Sequence, residues 1–295
     1  MLVKNNYNSI LYFLKYMWFD ILIIVIYAII IGTIDHNTFL KKISIPLPIT
    51  AITGTIVSLL LAFRTAQSYD RWWEARKIWG EIVNDSRTLI RQIKQFLPNT
   101  DSDKELIDFA ERQIIWCYAL SDSLRKKQFS TIVSLYLEKN KIKANNIPAK
   151  LLNVHCEQLA SLATKFNLND NKQVQIDTTI SRLNDAMGKC ERIKNTVFPK
   201  SYSLLIHFLI YVLASILPFG LDDNYPILEI LLTIIIPLLL IAVEQTAIIM
   251  QDPFENQPTD IPMTTLCEVI ENNISEIISN KAIEPPKNTK TYYLK

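Results

Sequence analysis

Residues 49–96 read ITAITGTIVSLLLAFRTAQSYDRWWEARKIWGEIVNDSRTLIRQIKQF. Up to Phe63 this stretch is as apolar as a bilayer span, and from Arg64 onward it is as charged as a helix of a soluble bundle. Pro46 and Pro48 stand where a helix can begin and Pro98 where one must stop, with no proline between. At about 1.5 Å per residue a single helix over this stretch is roughly 70 Å long, more than twice the ~30 Å hydrocarbon core of a bilayer. Such a helix has to leave the membrane. The expectation is an all-α integral membrane protein whose helices continue into the cytoplasm.

The rest of the chain supports that expectation. Its 295 residues are 49% hydrophobic with a mean hydropathy of +0.15, and the apolar residues are clustered. Residues 17–34, 43–63, 202–220 and 226–250 each have the length and composition of a transmembrane helix. One such segment could equally be a buried core helix, whereas four together favour the membrane. The first begins too far into the chain and lacks a small-residue cleavage site, so it reads as retained rather than as a signal peptide. Arg64, Arg71, Arg76 and Lys77 follow the second span, and Lys189, Arg192, Lys194 and Lys200 precede the third. These bases place the middle segment and both termini in the cytoplasm of a cell inner (plasma) membrane protein, with Lys41 and Lys42 outnumbered. The organisation is residues 1–63 with spans one and two, 64–198 as a helical cytosolic region, 199–250 with spans three and four, and a cytosolic tail at 251–295.

Within 64–198, Ser102 and Glu105 have the spacing of a capping box, and the helix they open is expected to bury Phe109, Ile115, Trp116 and Leu120. A polar break at 138–148 precedes helices near 149–166 and 172–195, and after three prolines the tail forms one more helix near 263–278 before a disordered end.

Several function classes are disfavoured. The net charge is +2 and no basic face is interleaved with aromatics, so nucleic acid is not an expected partner. Cys117, Cys156, Cys190 and Cys267 show no CxxC spacing and read as reduced thiols, and His36, His155 and His207 are scattered structural residues. No metal centre or cofactor is expected. No nucleophile elbow, P-loop, zinc helix or dinucleotide fingerprint occurs, which argues against an enzyme.

Two stripes mark the second span. Gly54, Ser58 and Ala62 recur every four residues, the small-residue pattern that lets membrane helices approach closely. Thr55, Leu59 and Phe63 recur beside them. The stripes fit either a helix packed inside a monomeric bundle or a pore helix repeated about a symmetry axis, its small stripe on a neighbour and its larger stripe facing a narrow lumen. Trp72, Trp73 and Trp79 read as interfacial anchors on which Arg71 or Arg76 can stack. Glu244, inside the fourth span, calls for an ion-pair partner.

At these residues the chain resembles the bestrophins, in their bacterial branch. The resemblance rests on Phe63-Arg64, then Tyr69-Asp70-Arg71-Trp72-Trp73-Glu74-Ala75-Arg76-Lys77-Ile78-Trp79-Gly80, then Gly188-Lys189-Cys190-Glu191-Arg192-Ile193 ahead of Pro199, then Asp252-Pro253-Phe254. It implies a homopentameric ion channel with four transmembrane helices per subunit and a helical cytosolic region. Its family register puts a hydrophobic neck at Thr55, Leu59 and Phe63, Thr55 departing from the usual apolar residue. A cytosolic constriction is implied near Val174 and Ile176. The implied partners are permeating monovalent ions, the lipid bilayer and further copies of the chain. The acidic run that forms the calcium clasp of eukaryotic members reads here Glu255-Asn256-Gln257-Pro258-Thr259-Asp260, too few adjacent carboxylates for a calcium shell. The resemblance leaves anion (chloride) and cation preference open, and a secondary transporter or a membrane-anchored scaffold or sensor remain as alternatives.

Overall fold

The computed structural model describes residues 14–37, 45–98, 102–221 and 225–279. Among them every regular element is helical: α1 (Trp18–Asn37), α2 (Leu47–Phe96), α3 (Asp103–Leu124), α4 (Thr131–Lys139), α5 (Ile147–Lys165), α6 (Asp170–Asn195), α7 (Lys200–Ile216), a 3-10 turn (Pro218–Gly220), α8 (Pro226–Met250) and α9 (Met263–Ser279). The expectations for Lys41 and Lys42 and for the C-terminal end at 280–295 lie outside the described residues. α2 is the single 50-residue helix that the proline spacing predicts. Among the described residues α2 and α8 are by themselves long and apolar enough to cross a bilayer, while α1 is apolar over the shorter Trp18–Ile34 and α7 has 17 residues. α1 runs on past the apolar segment to Asn37.

The chain divides into two compact units, one of residues up to Trp72 with Val197–Asp252, the other of Trp73–Thr196 with the segment from Pro253. In the first, α1, the start of α2, α7 and α8 enclose Met17, Ile24, Val57, Leu61, Ile206, Ile210 and Ile241. Burial along this part of α2 follows alternating steps of three and four through Thr50, Gly54, Val57, Leu61, Arg64 and Ser68, the period that keeps one seam on its neighbours. Gly32 lets α1 approach α8, since a Cβ there would lie 2.5 Å from Cγ1 of Ile230. The Tyr27 hydroxyl donates to the Ser215 carbonyl at 2.8 Å, and the Ile45 amide donates to the Phe219 carbonyl at 2.8 Å.

The second unit is built around α3, which packs on α4, α5, α6 and α9 and buries Phe109, Ile115, Trp116 and Leu120 as expected. The charged half of α2 continues the three-four pattern with Ala75, Ile78, Ile82, Ser86, Leu89 and Ile93. It runs antiparallel to α6, bridged by Glu74–Arg192 at 2.7 Å, Glu81–Lys189 at 3.2 Å and Asp85–Arg182 at 2.9 Å. These residues explain much of the 188–193 motif: Lys189 and Arg192 make bridges, Cys190 and Ile193 are buried, and Glu191 accepts from the Asn146 amide at 2.9 Å.

Two local expectations are corrected. Ser102 does not cap α3 with its side chain but donates to the Pro98 carbonyl, and Glu105 pairs with Lys165 instead of reaching back to its own helix start. Trp79 is fully buried in the second unit and so is a core residue, not an interfacial anchor. Burial pushes the thiols of Cys117 and Cys190 up to about 12, which leaves both protonated and inert.

Candidate pore-lining site

Thr55, Leu59 and Phe63 occupy one face of α2, opposite its packed seam. Leu59 stands two residues from both Val57 and Leu61, about 200° around the helix from each. Val57 and Leu61 are buried, whereas Leu59 is 56% and Phe63 57% exposed. Ile52 and Ile56 extend the same exposed apolar side. Thr55 is exposed too, and its hydroxyl donates to the Ala51 carbonyl at 2.8 Å. That internal bond satisfies the hydroxyl within the helix, so the position is less polar than its residue type suggests.

The small stripe does not present a common face to a neighbour. A Cβ at Gly54 would meet the Leu213 methyls of α7 at 3.9 Å, inside the same protomer, while Ser58 and Ala62 are exposed. Gly54 thus packs inside its own protomer, a contact that the reading of the stripe as an intersubunit face did not include. The cytosolic pair also separates. Val174 is 62% exposed, but Ile176, two residues on and about 200° around α6, is fully enclosed with Ile180 and Leu183 in the helical unit. Ile176 is thus corrected to a core residue.

Immediately behind Phe63, Arg64 turns into the protein with no exposed surface. Its Nη1 donates to Oε1 of Glu244 at 3.0 Å, the partner that Glu244 required. The second oxygen of Glu244 lies 2.8 Å from Nδ1 of His207, whose Nε2 lies 3.8 Å from Oδ1 of Asp20. The Tyr211 hydroxyl donates to that same Asp20 oxygen at 2.8 Å. The Arg64 guanidinium also stands 5.7 Å from the Phe198 ring centre. Four helices thereby share one ionic network, in which a buried pair is costly to break by removing one partner, about 3–5 kcal/mol. The sequence reading singles out Glu244, takes His207 as a scattered structural residue and does not single out Asp20. The available signal was that Asp20, His207 and Glu244 are ionisable groups inside three different apolar segments.

From Pro253 of the Asp252-Pro253-Phe254 motif the chain turns in the other unit: Phe254 is buried, and the Pro253 carbonyl accepts from the Ile261 amide at 3.1 Å. Asp260 closes this turn by accepting from the Gln257 amide at 2.9 Å, and Glu255 pairs with Lys194.

The family model of the bacterial and fungal bestrophins matches residues 12–276. The chain is 29% identical over 231 residues to the voltage-dependent anion channel-forming protein YneE of Escherichia coli K12, covering 77% of this chain and 75% of the relative. It is 26% identical over 263 residues to a voltage-dependent anion channel-forming protein of Nostoc, covering 86% of each. The crystal structure of a bacterial bestrophin homologue from Klebsiella pneumoniae superimposes with a TM-score of 0.81 at 23% identity, over 89% of this chain and 98% of that one. A family match across nearly the whole described chain, on an all-helical fold that carries the Phe63-Arg64 motif within α2, the 188–193 motif within α6 and the 252–254 motif just after α8, makes this chain a member of the bacterial and fungal bestrophin family.

Proposed function

We propose that the chain forms a homopentameric channel that passes small monovalent ions passively across the plasma membrane, with Thr55, Leu59 and Phe63 of five copies of α2 forming the neck. The observation that carries this reading is the exposed face of α2. Leu59 and Phe63 are large, apolar and more than half exposed on a helix whose opposite side is fully packed. Around a shared axis such residues form stacked rings that narrow the lumen and withdraw water from an ion. Val174, exposed on α6, is the residue proposed for a second constriction in the cytosolic unit.

In this reading α1, α2, α7 and α8 supply four spans per subunit and both termini are cytoplasmic. The rings bear no charge, so they act through size and hydration rather than through sign. The curated relatives are described as anion channel-forming, which makes chloride the first ion to test.

Purified protein in planar bilayers under a potassium chloride gradient is expected to give unitary current steps, with a reversal potential that reads the sign of the permeant ion. Flux without unitary steps would point to a transporter, and no flux to a scaffold or sensor. Native mass spectrometry of the detergent-solubilised protein is expected to show five copies.

A further inference from the structure

The network behind the neck contains a group that the conduction path itself does not need. His207 has Glu244 on one ring nitrogen at 2.8 Å and Asp20 near the other at 3.8 Å. The charged and titratable groups facing the imidazole are Asp20 from α1, Arg64 from α2, Glu244 from α8 and Tyr211 from its own helix, whose ring meets the imidazole edge-on at 5.0 Å. With a neutral imidazole, one arginine and two carboxylates sum to a net charge of −1. With a protonated imidazole they sum to zero.

That difference matters because Arg64 and Glu244 are buried, at 0% and 1% side-chain exposure, where an uncompensated charge is costly. The imidazole itself is 35% exposed within the single chain, unlike the enclosed Arg64–Glu244 pair. An imidazolium donates to Glu244 at 2.8 Å and adds a charge attraction to Asp20 at 3.8 Å, whereas a neutral imidazole offers Asp20 no charge. Protonation therefore ties α7 to α8 and to α1 at once. Deprotonation removes the ring's positive charge and leaves the two carboxylates facing one cation among the described residues, Arg64, which is bonded to Glu244 alone of the two. Arg64 is the residue next to Phe63, so the strength of its hold on Glu244 sets how firmly the neck turn of α2 is fixed.

We propose that His207 is a proton-binding site that positions the Phe63 ring through Glu244 and Arg64, holding the neck when protonated and releasing it when neutral. This rests on the reading of α2 as the pore helix. His207 is a positioning residue, since it touches no ion in transit.

The test uses full-length protein with two readouts. In planar bilayers, open probability is expected to rise at least about threefold as pH is raised between about 5.5 and 8. His207→Asn, whose amide can still donate to Glu244 but cannot titrate, is expected to abolish that step, and Asp20→Asn to remove at least about half of it. The second readout is the nitrogen-15 spectrum of labelled histidine in lipid nanodiscs. The chain has three histidines, so the His207 signals are assigned by their loss in His207→Asn, and they are expected to titrate in the same window. A His207 spectrum that is constant across the window overturns the site. A titrating His207 with pH-independent gating, or a pH step that survives in His207→Asn, overturns the coupling to the neck. If no condition gives current, the pore reading falls and the coupling with it, while the spectrum still decides whether His207 binds the proton.

Discussion

Leu59 and Phe63 differ from Leu60 in what surrounds them, and that difference separates function from stability one residue at a time. Leu60 packs against the Val57, Leu61 and Ile241 core, whereas Leu59 and Phe63 touch little of their own protomer. Leu59→Ala and Phe63→Ala are expected to raise unitary conductance or open probability severalfold, because each removes five apolar groups from one ring. Leu60→Ala is expected to cost about 2 kcal/mol of stability with conduction unchanged. Single-channel recording beside thermal unfolding checks both, and altered conduction in Leu60→Ala alone would show that the pore face is misassigned. His155 carries a prediction of another kind. It is fully buried, stacked on Phe109 at 4.8 Å with Nδ1 3.3 Å from Arg112, and burial together with the arginine holds it well below the usual imidazole range. The folded protein then binds fewer protons here than the unfolded chain. Its contribution is complete above about pH 6.5 and is lost as pH falls, by about 1.4 kcal/mol per unit. Asp260 has the opposite sign, since burial raises its carboxyl to about 6 and folding gains from its protonation as pH drops through that value. The measurement is therefore a difference: between pH 7.5 and 5.5 the wild type is expected to lose more stability than His155→Gln, and equal losses would refute the assignment.

At the scale of the helix, the chain's shortage of glycine becomes a structural feature. α3, α4 and α5 end on left-handed residues, Lys126 at φ 52°, Lys141 at φ 52° and Asn167 at φ 47°. The bonds from Lys127 to Asp122 at 3.1 Å and from Lys126 to Ser123 at 3.0 Å are those of a Schellman end, where glycine is the residue without penalty. Lys126→Gly is expected to stabilise the protein by about 1 kcal/mol, read as a raised unfolding temperature. Gly32 is the converse case. Gly32→Leu is expected to cost about 1–3 kcal/mol by forcing α1 off Ile230, and Ile230→Ala in the same chain to restore part of it; additive losses in that cycle would dissociate the two positions. The extent of α2 was legible from proline placement, and the core of α3 from its periodicity. The capping box at Ser102 was not, because a capping pattern is decided by which acceptor is nearer, and here the Pro98 carbonyl wins.

For the whole molecule, the turn at 255–260 decides the calcium question. Asp260 accepts a backbone amide of its own turn and Glu255 is engaged by Lys194. Open probability is therefore expected to stay constant when micromolar calcium replaces chelator in the bath, and a reproducible rise would overturn that expectation. Family membership and the all-helical plan were readable before any fold was known, since three spaced motifs and four apolar segments are properties of the chain order. The candidate site was readable only in part: the register put Thr55, Leu59 and Phe63 on one face, but which face of α6 carried Val174, and which Ile176, depended on the packing of neighbouring helices.

The sequence by itself determined where the apolar segments lie, that α2 runs unbroken between its prolines and which residues on α2 share a side. These follow from hydropathy, from proline and from a fixed helical period, all of which act over a few residues. Only the tertiary structure decided what each side meets. It put Gly54 against Leu213, enclosed Trp79 and Ile176, and joined Arg64 to Glu244 across 180 positions of chain, with His207 and Asp20 completing the network. A lone ionisable residue in an apolar segment announces that a partner is needed, but the low dielectric that makes the partner necessary is created by packing. The identity of the partner is fixed by which helices pack together.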